Sequence, residues 1–173
     1  MALSKKMRIL LYQGRGWVSK AIRWQTRSIY SHVAVQLDTG TVIEAWHIGG
    51  VRRISDPWEG HDPKTKIDFY DIDPEFNTKA VKTFLMQQIG KDYDFGAIAR
   101  FLSRRDEPAD DKYFCSELVL TAFSVGGLDL LHGRPSHLSP RDVSLSPYLR
   151  LAESRWRRSP GKQKPTDDWD KWL

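Results

Sequence analysis

Cys115 is the only cysteine of the 173-residue chain, and it lies in the stretch DKYFCSELVL over residues 111–120. A single free cysteine is often no more than a small buried apolar side chain. Here the pattern predicts a helix over 115–125, with Cys115 in its first turn. Unpaired backbone amides and the positive end of the helix dipole stabilise a thiolate at such a position. The stretch alone leaves two interpretations open, a buried thiol and a nucleophile.

A nucleophilic thiolate needs a general base, and the chain contains five histidines. His32 lies near the start of the alternating run SHVAVQL, residues 31–37, where a strand would hold the imidazole in a fixed orientation. A sheet-edge histidine with a purely structural role is the alternative. His47 follows the next predicted strand and is a weaker candidate for a direct role. The remaining histidines are expected at the surface because their surroundings are rich in glycine, proline or aspartate: His61, His132 and His137.

Glu44 places a carboxylate inside the strand-forming run TVIEAW, residues 41–46. A three-residue turn at Asp38–Gly40 would pair Ala34 with Glu44 and put Glu44 on the same sheet face as His32. A two-residue turn would separate them, because a one-residue slip moves every side chain to the other face. In the first register Glu44 would accept the ring N–H of His32 and hold its tautomer. A solvent-facing glutamate is the alternative.

The strands and helices that must position these residues are predicted to form an α+β protein. Apolar runs bounded by turn residues predict strands over 8–12, 31–37, 41–46, 51–54, 66–72 and 148–152. Amphipathic patterns predict helices over 17–27, 93–102 and 115–125, and one more helix that Asp73 and Pro74 open and Gly90 closes. The stretches 103–111 and 133–147 are expected to be loops.

The composition is that of a globular protein, with 40% hydrophobic and 28% charged residues. One cysteine excludes an internal disulfide and a multi-cysteine zinc site. The chain shows neither a signal peptide nor an apolar run of bilayer length, so a cytoplasmic location is expected. The net charge is +5, but the basic residues are scattered, so neither nucleic acid nor a membrane surface is indicated as a partner. No cofactor and no metal site is predicted.

Four stretches, YSHVAV, IEAW, KDYDFGAIARF and YFCSELV, follow one another in an order that resembles the permuted papain-like amidohydrolases. This YiiX-like group is related to NlpC-type cysteine peptidases and to lecithin retinol acyltransferase. In ordinary papain-like enzymes the cysteine helix precedes the histidine strand, whereas here the histidine strand comes first. The resemblance covers roughly residues 8–152. It implies a circularly permuted papain-like fold, in which the cysteine helix packs against a small antiparallel sheet or barrel.

The resemblance also implies a domain organisation and a site. A catalytic domain would span residues 1–153, and a polar, flexible tail would span 154–173. Cys115 matches the nucleophile, His32 the base and Glu44 the polar third member of the site. The backbone N–H of Cys115 would contribute to an oxyanion hole, with the hydroxyl of Tyr113 as a second donor.

The activity that this site implies is that of a papain-like cysteine peptidase or amidase. It would cleave an amide bond, such as that of a peptide or peptidoglycan-like substrate, or an ester bond, through an acyl-enzyme. One alternative is an acyltransferase, which would use the same triad to pass the acyl group to an amine or alcohol. The other is a non-enzymatic binding or virion-associated module on the same scaffold.

Overall fold

The computed structural model describes residues 6–15, 19–20, 23–24, 27–93, 112–113, 115–133 and 138–157, with the backbone alone at 93, 112 and 113. Six strands form one antiparallel sheet in the order β4-β3-β2-β1-β5-β8. The strands of this sheet are β1 (Arg8–Gln13), β2 (His32–Gln36), β3 (Val42–Trp46), β4 (Gly50–Ile54), β5 (Lys66–Ile72) and β8 (Leu149–Trp156). A short parallel pair consists of β6 (Asp92–Tyr93) and β7 (Lys112–Tyr113).

In the described part of the chain, the helices with defined bounds are α1 (Thr78–Gln88), α2 (Cys115–Val125) and α3 (Pro140–Ser144). Helix α2 packs against β2 and β3 on one side and against α1 on the other. Its buried side chains join the main apolar core together with alternate residues of the strands, such as Leu11, Val33 and Ile43. We call this side of the sheet the helix face. The expected α+β class with an antiparallel sheet and a cysteine-bearing helix against it is confirmed.

The opposite side of the sheet, which we call the loop face, carries a second and smaller apolar cluster that includes Leu10, Ala34 and Val42. The connection between β4 and β5, residues 55–65, covers this face. The hydroxyl of Tyr12 donates to the carbonyl of Pro57 over 3.1 Å, and the indole of Trp58 packs against the cluster. Because strand side chains alternate between the two sides, each strand contributes to both clusters.

Several predicted boundaries differ from those observed. Helix α1 begins at Thr78, four residues after Pro74, because Asn77 caps it by accepting the backbone N–H of Ala80. The stretch 133–147 was expected to be a loop, but it contains α3, which a capping box of Ser139 and Asp142 stabilises. Helix α2 has the predicted bounds.

At the carboxyl-terminal end, β8 continues through Trp156, three residues into the segment predicted as a tail. Pairing with β5 explains this extension, since Ser154 lies opposite Asp68 and Arg155 stacks over Phe69. Residues 158–173 lie outside the described part of the chain, as do residues 94–111, which hold most of the helix predicted over 93–102 and the loop predicted after it. Tyr93 itself lies in β6.

Of the helix predicted over 17–27, the structure describes helical backbone at 19–20 and 23–24. Within the described residues, no helix is both long and apolar enough to cross a membrane.

Gly50 allows the sheet to meet the segment that leads towards Cys115. Its φ is +70°, and a Cβ atom there would lie 1.9 Å from the carbonyl oxygen of Lys91. That carbonyl accepts the backbone N–H of Val51, so the start of β4 is joined to the residue just before β6. Strand β7 pairs with β6 and ends two residues before Cys115. The backbone before α2 is therefore anchored to the sheet edge.

Candidate active site

The hairpin of β2 and β3 has the register that brings the two predicted site residues together. Val35 pairs with Ile43, which corresponds to the three-residue turn. The same register places Ala34 opposite Glu44, so Glu44 and His32 are diagonal neighbours on one face. The prediction that depended on this turn is confirmed.

Glu44 and His32 are in direct contact on the loop face. Nε2 of His32 lies 2.7 Å from Oε2 of Glu44. Glu44 is fully buried and His32 is 7% exposed, so water competes little for this hydrogen bond. The solvent-facing alternative for Glu44 is therefore wrong.

Two further side chains bind the Glu44 carboxylate. Arg52 lies opposite Glu44 in the pairing of β3 with β4, and its Nε and Nη2 donate to Oε1 over 2.9 and 2.7 Å. His61 lies in the 55–65 loop, with its Nε2 3.2 Å from Oε2. Both carboxylate oxygens thus have nitrogen partners, and a buried carboxylate needs such partners to remain charged.

Aromatic rings hold the two imidazoles in place. Tyr12 stacks on His61 with ring centroids 4.3 Å apart and meets His32 edge-on at 5.0 Å. Trp46 contacts the same two imidazoles, at 5.6 Å from His32 and 4.5 Å from His61. The guanidinium of Arg52 lies over the Trp46 ring, 4.5 Å from its centroid. Packing from several sides restricts the rotamers of the charged and titratable groups.

Cys115 approaches the same imidazole from the helix face. It is the first residue of α2, is 1% exposed, and belongs to the main apolar core. His32 is the first residue of β2, and interaction with the Cys115 side chain is the largest of the effects that raise the pKa of His32. Since Nε2 of His32 binds Glu44, Nδ1 is the ring nitrogen that remains for the thiol. One imidazole at a strand end therefore links a carboxylate on the loop face to a thiol on the helix face.

The surroundings shift the pKa values of these groups in different directions. Burial lowers the pKa of His32, but interactions with Cys115 and Glu44 outweigh it and raise the pKa to about 9. Burial likewise lowers the pKa of His61, and the contact with Glu44 does not reverse that shift. Burial raises the pKa of Glu44, but hydrogen bonds from the two imidazoles hold it well below its ordinary range. Near neutral pH the site thus contains an imidazolium, a neutral imidazole and a carboxylate.

The sequence analysis missed Arg52 and His61. The expectation that His61 lies at the surface is wrong, because the 55–65 loop folds over the sheet and buries it. A signal for Arg52 was present, since the turn at His47–Gly49 pairs Glu44 with Arg52 directly across the hairpin. Nothing in the residues around His61 indicates its burial, because a loop has no periodicity that marks an inward side chain.

The other predicted residues lie as follows. His47 is half-buried in the turn after β3, with its ring 4.3 Å from that of Trp46, and His132 is exposed. His137 and the side chain of Tyr113 lie outside the described residues. The backbone N–H of Cys115 is in the first turn of α2, so its oxyanion role stays a prediction.

A metal ion was not predicted, yet the described residues include one cluster of possible ligands. The ligand atoms of His32, Glu44 and His61 lie within 4.8 Å of one another. Both imidazole nitrogens in this cluster already lie against Glu44. Arg52 adds a permanent positive charge at the same carboxylate, which opposes a divalent cation. As arranged, the donor set fits a hydrogen-bonded carboxylate and does not fit a metal cage.

The comparisons with known proteins identify a shared fold. No family model and no curated protein sequence matches this chain. Among solved structures, the crystal structure of the metalloprotein YiiX from Escherichia coli O157:H7 matches with a TM-score of 0.69 at 20% sequence identity. The match covers 89% of this chain and 99% of YiiX. This chain has the fold of YiiX, the protein after which the resembled group is named.

Proposed function

We propose that this protein is a cysteine hydrolase that cleaves an amide or ester bond through Cys115, His32 and Glu44. One observation carries the proposal: Nε2 of His32 hydrogen-bonds Glu44, and the Cys115 side chain interacts with the same imidazole and raises its pKa. This is the relation between nucleophile, base and orienting carboxylate that acyl transfer requires. The helix start at Cys115 adds backbone amides that stabilise negative charge.

The proposed reaction has two halves. In the first, His32 holds the Cys115 proton as an imidazolium, and the Cys115 thiolate attacks the substrate carbonyl carbon. The bond to the leaving amine or alcohol then breaks, His32 returns the proton to that group, and the acyl group remains on sulfur as a thioester. In the second half, His32 removes a proton from water, which attacks the thioester and releases the acid and the thiol. Glu44 stays ionised and stabilises the imidazolium throughout.

The finer description of the fold belongs to the same proposal. The cysteine helix packs on an antiparallel sheet whose histidine strand comes earlier in the chain. That order supports a circularly permuted papain-like domain of the YiiX type, related to NlpC-type peptidases and lecithin retinol acyltransferase. Peptides, peptidoglycan-like amides and lipid-like esters all present the carbonyl that the mechanism needs.

Cys115 provides a direct test, because it is the only thiol in the chain and iodoacetamide labelling therefore reports on it alone. We expect wild-type protein to be alkylated at pH 6, where an ordinary thiol is almost entirely protonated. His32→Ala should lower that rate at least about tenfold, since it removes the partner of the thiolate. His132→Ala is the matched control, because His132 is exposed. Equal rates in wild type and His32→Ala would contradict the proposal.

Turnover is tested with p-nitrophenyl acetate, a small ester that requires little recognition. We expect a burst of p-nitrophenol followed by slow turnover, and no burst in Cys115→Ser. Adding an amine acceptor separates the hydrolase from the acyltransferase, because a transferase would form the acetylated amine in preference to acetate. A thiol that is inert to both reagents would instead favour the non-enzymatic module.

A metal centre is the competing function, since YiiX is described as a metalloprotein and this chain has a His–Glu–His cluster. The charge of Arg52 on Glu44 argues against it. We therefore expect purified protein to contain far less than one equivalent of bound transition metal by mass spectrometry. A stoichiometric metal that is lost in His61→Ala would contradict this expectation and would assign the cluster to metal binding.

A further inference from the structure

We infer that Arg52 and His61 are positioning residues of this site, which hold the Glu44 carboxylate so that Oε2 meets His32. Both bind the Glu44 carboxylate on the loop face, whereas Cys115 belongs to the core on the helix face, so each would act through Glu44. The inference rests on the proposed function, because positioning matters only if His32 assists the thiol.

Arg52 determines the orientation of the carboxylate. Two of its nitrogens bind the same oxygen, Oε1, which leaves Oε2 pointing towards the imidazoles. Arg52 is itself held, because Nη2 also donates to the carbonyl of Glu59 over 2.7 Å and the guanidinium lies on Trp46. A planar guanidinium loses little freedom when it binds in this way, whereas a lysine ammonium does not reproduce the geometry.

His61 occupies the second position on Oε2. Its burial favours the neutral imidazole, so Nε2 carries a hydrogen that it donates to Glu44 over 3.2 Å. A neutral donor fills a lone pair of the carboxylate without adding a second imidazolium beside His32. Stacking on Tyr12, with the rings 18° from parallel, keeps the donor aimed at that oxygen. His61 therefore limits the rotation of Glu44 without neutralising its charge.

The 55–65 loop carries this support. It supplies His61, and its carbonyls at Pro57 and Glu59 accept hydrogen bonds from Tyr12 and Arg52. The loop lies on the side of the sheet opposite α2. Its effect on Cys115 would therefore pass through Glu44 and not through a contact with the cysteine helix. A structural connection thus runs from the loop through Glu44 and His32 to the thiol.

Arg52 and His61 could position Glu44, or they could only stabilise a buried carboxylate. Conservative variants separate the positioning role from this purely structural one. Arg52→Lys retains the positive charge but loses the two-nitrogen contact. His61→Gln retains an N–H donor that can reach Oε2, whereas His61→Ala does not. We expect Arg52→Lys and His61→Ala to lower the iodoacetamide rate at pH 6 about tenfold, with His61→Gln recovering part of the loss. Arg53→Lys is the matched control for Arg52, because Arg53 is the next residue of β4 and is exposed.

The outcomes distinguish this inference from the proposed function. If Arg52→Lys and His61→Ala react like wild type while His32→Ala does not, positioning by these residues is wrong and the hydrolase proposal stands. If His32→Ala also reacts like wild type, both fail. Ring ¹⁵N spectra of wild-type protein give a readout that needs no variant to fold. They should show His61 neutral with its hydrogen on Nε2, and a hydrogen on Nδ1 instead would overturn its assigned role.

Discussion

Two buried carboxylates on opposite faces of the same sheet show how differently this protein treats an internal negative charge. Glu44 lies in β3 on the loop face, and Asp68 lies in β5, opposite Leu11 on the helix face. They are 0% and 3% exposed respectively. Both have a pKa below the ordinary value, because hydrogen bonds outweigh the effect of burial. Burial and charge alone therefore do not distinguish a candidate active-site carboxylate from a structural one.

The partners of the two carboxylates differ. Asp68 accepts hydrogen bonds from the hydroxyls of Tyr30 and Ser154 and from the amide of Gln13, with Lys66 nearby at 3.3 Å. Its hydrogen bonds thus come from hydroxyl and amide groups, which do not exchange a proton near neutral pH. Glu44 instead binds two imidazoles and a guanidinium, and one of those imidazoles reaches the thiol. The comparison shows that a carboxylate suited to proton transfer is recognised by whether its partners gain or lose a proton near neutral pH.

The largest expected effect comes from deleting Glu44. Glu44→Ala leaves Arg52, His32 and His61 buried without their common acceptor, so we expect the free energy of unfolding to fall by about 3–5 kcal/mol. Urea denaturation measures this change. The matched control is Glu59→Ala, an exposed glutamate in the adjoining loop, which should change stability by about 0.5 kcal/mol or less. A loss near 1 kcal/mol in Glu44→Ala would show that the cluster is not tightly coupled.

The pH dependence of stability should follow the Glu44 cluster. Below about pH 6.5, His32 is charged in the folded and unfolded states, and its contribution is complete. Between about pH 6.5 and the folded pKa of about 9, only the folded state keeps the proton, so the free energy of unfolding falls as pH rises. The loss over this window is up to about 3 kcal/mol. The pKa of His61 is lower in the folded state, so the unfolded state binds the proton more readily in acid. Below the ordinary histidine pKa, His61 therefore makes the free energy of unfolding fall as the pH decreases.

Urea denaturation at intervals from pH 6 to 9.5, under reducing conditions, tests this behaviour. Glu44→Gln should make the decline smaller, because the substitution removes one of the two groups that hold the proton on His32, the other being Cys115. Asp68→Asn should keep the decline, since Asp68 binds hydroxyl and amide groups and no imidazole. An identical slope in wild type and Glu44→Gln would assign the titration to another group.

The smallest expected effect concerns Asp68. Asp68→Asn retains the size of the side chain but weakens the contacts with Tyr30 and Ser154, so we expect a loss of about 1–3 kcal/mol in the free energy of unfolding. The rate of Cys115 alkylation at pH 6 should stay at the wild-type value, because the polar contacts of Asp68 are with residues outside the Glu44 cluster. A rate that drops as in His32→Ala would remove the distinction between the two carboxylates.

Much of the fold could be predicted because its signals are local. The alternation of SHVAVQL and TVIEAW marked the hairpin, and the apolar pattern closed by Gly126 and Gly127 marked α2 with its observed bounds. Helix α3 was missed because it is five residues long and lies among prolines. The end of β8 was missed because its polar residues pair with β5, and the hydrogen bond from Ser154 to Asp68 joins residues 86 positions apart.

The sequence by itself determined the nucleophile, its base and the carboxylate as candidates, and it linked His32 to Glu44 through a three-residue turn. Those two residues are 12 positions apart within one hairpin, so turn length and strand alternation are sufficient to relate them. The tertiary structure alone decided that His61 is buried beside Glu44 and that the Cys115 side chain lies close enough to His32 to raise its pKa. Both contacts depend on how a loop and a helix pack on opposite faces of the sheet. Such packing follows from the burial of the whole core, which no short stretch of sequence encodes.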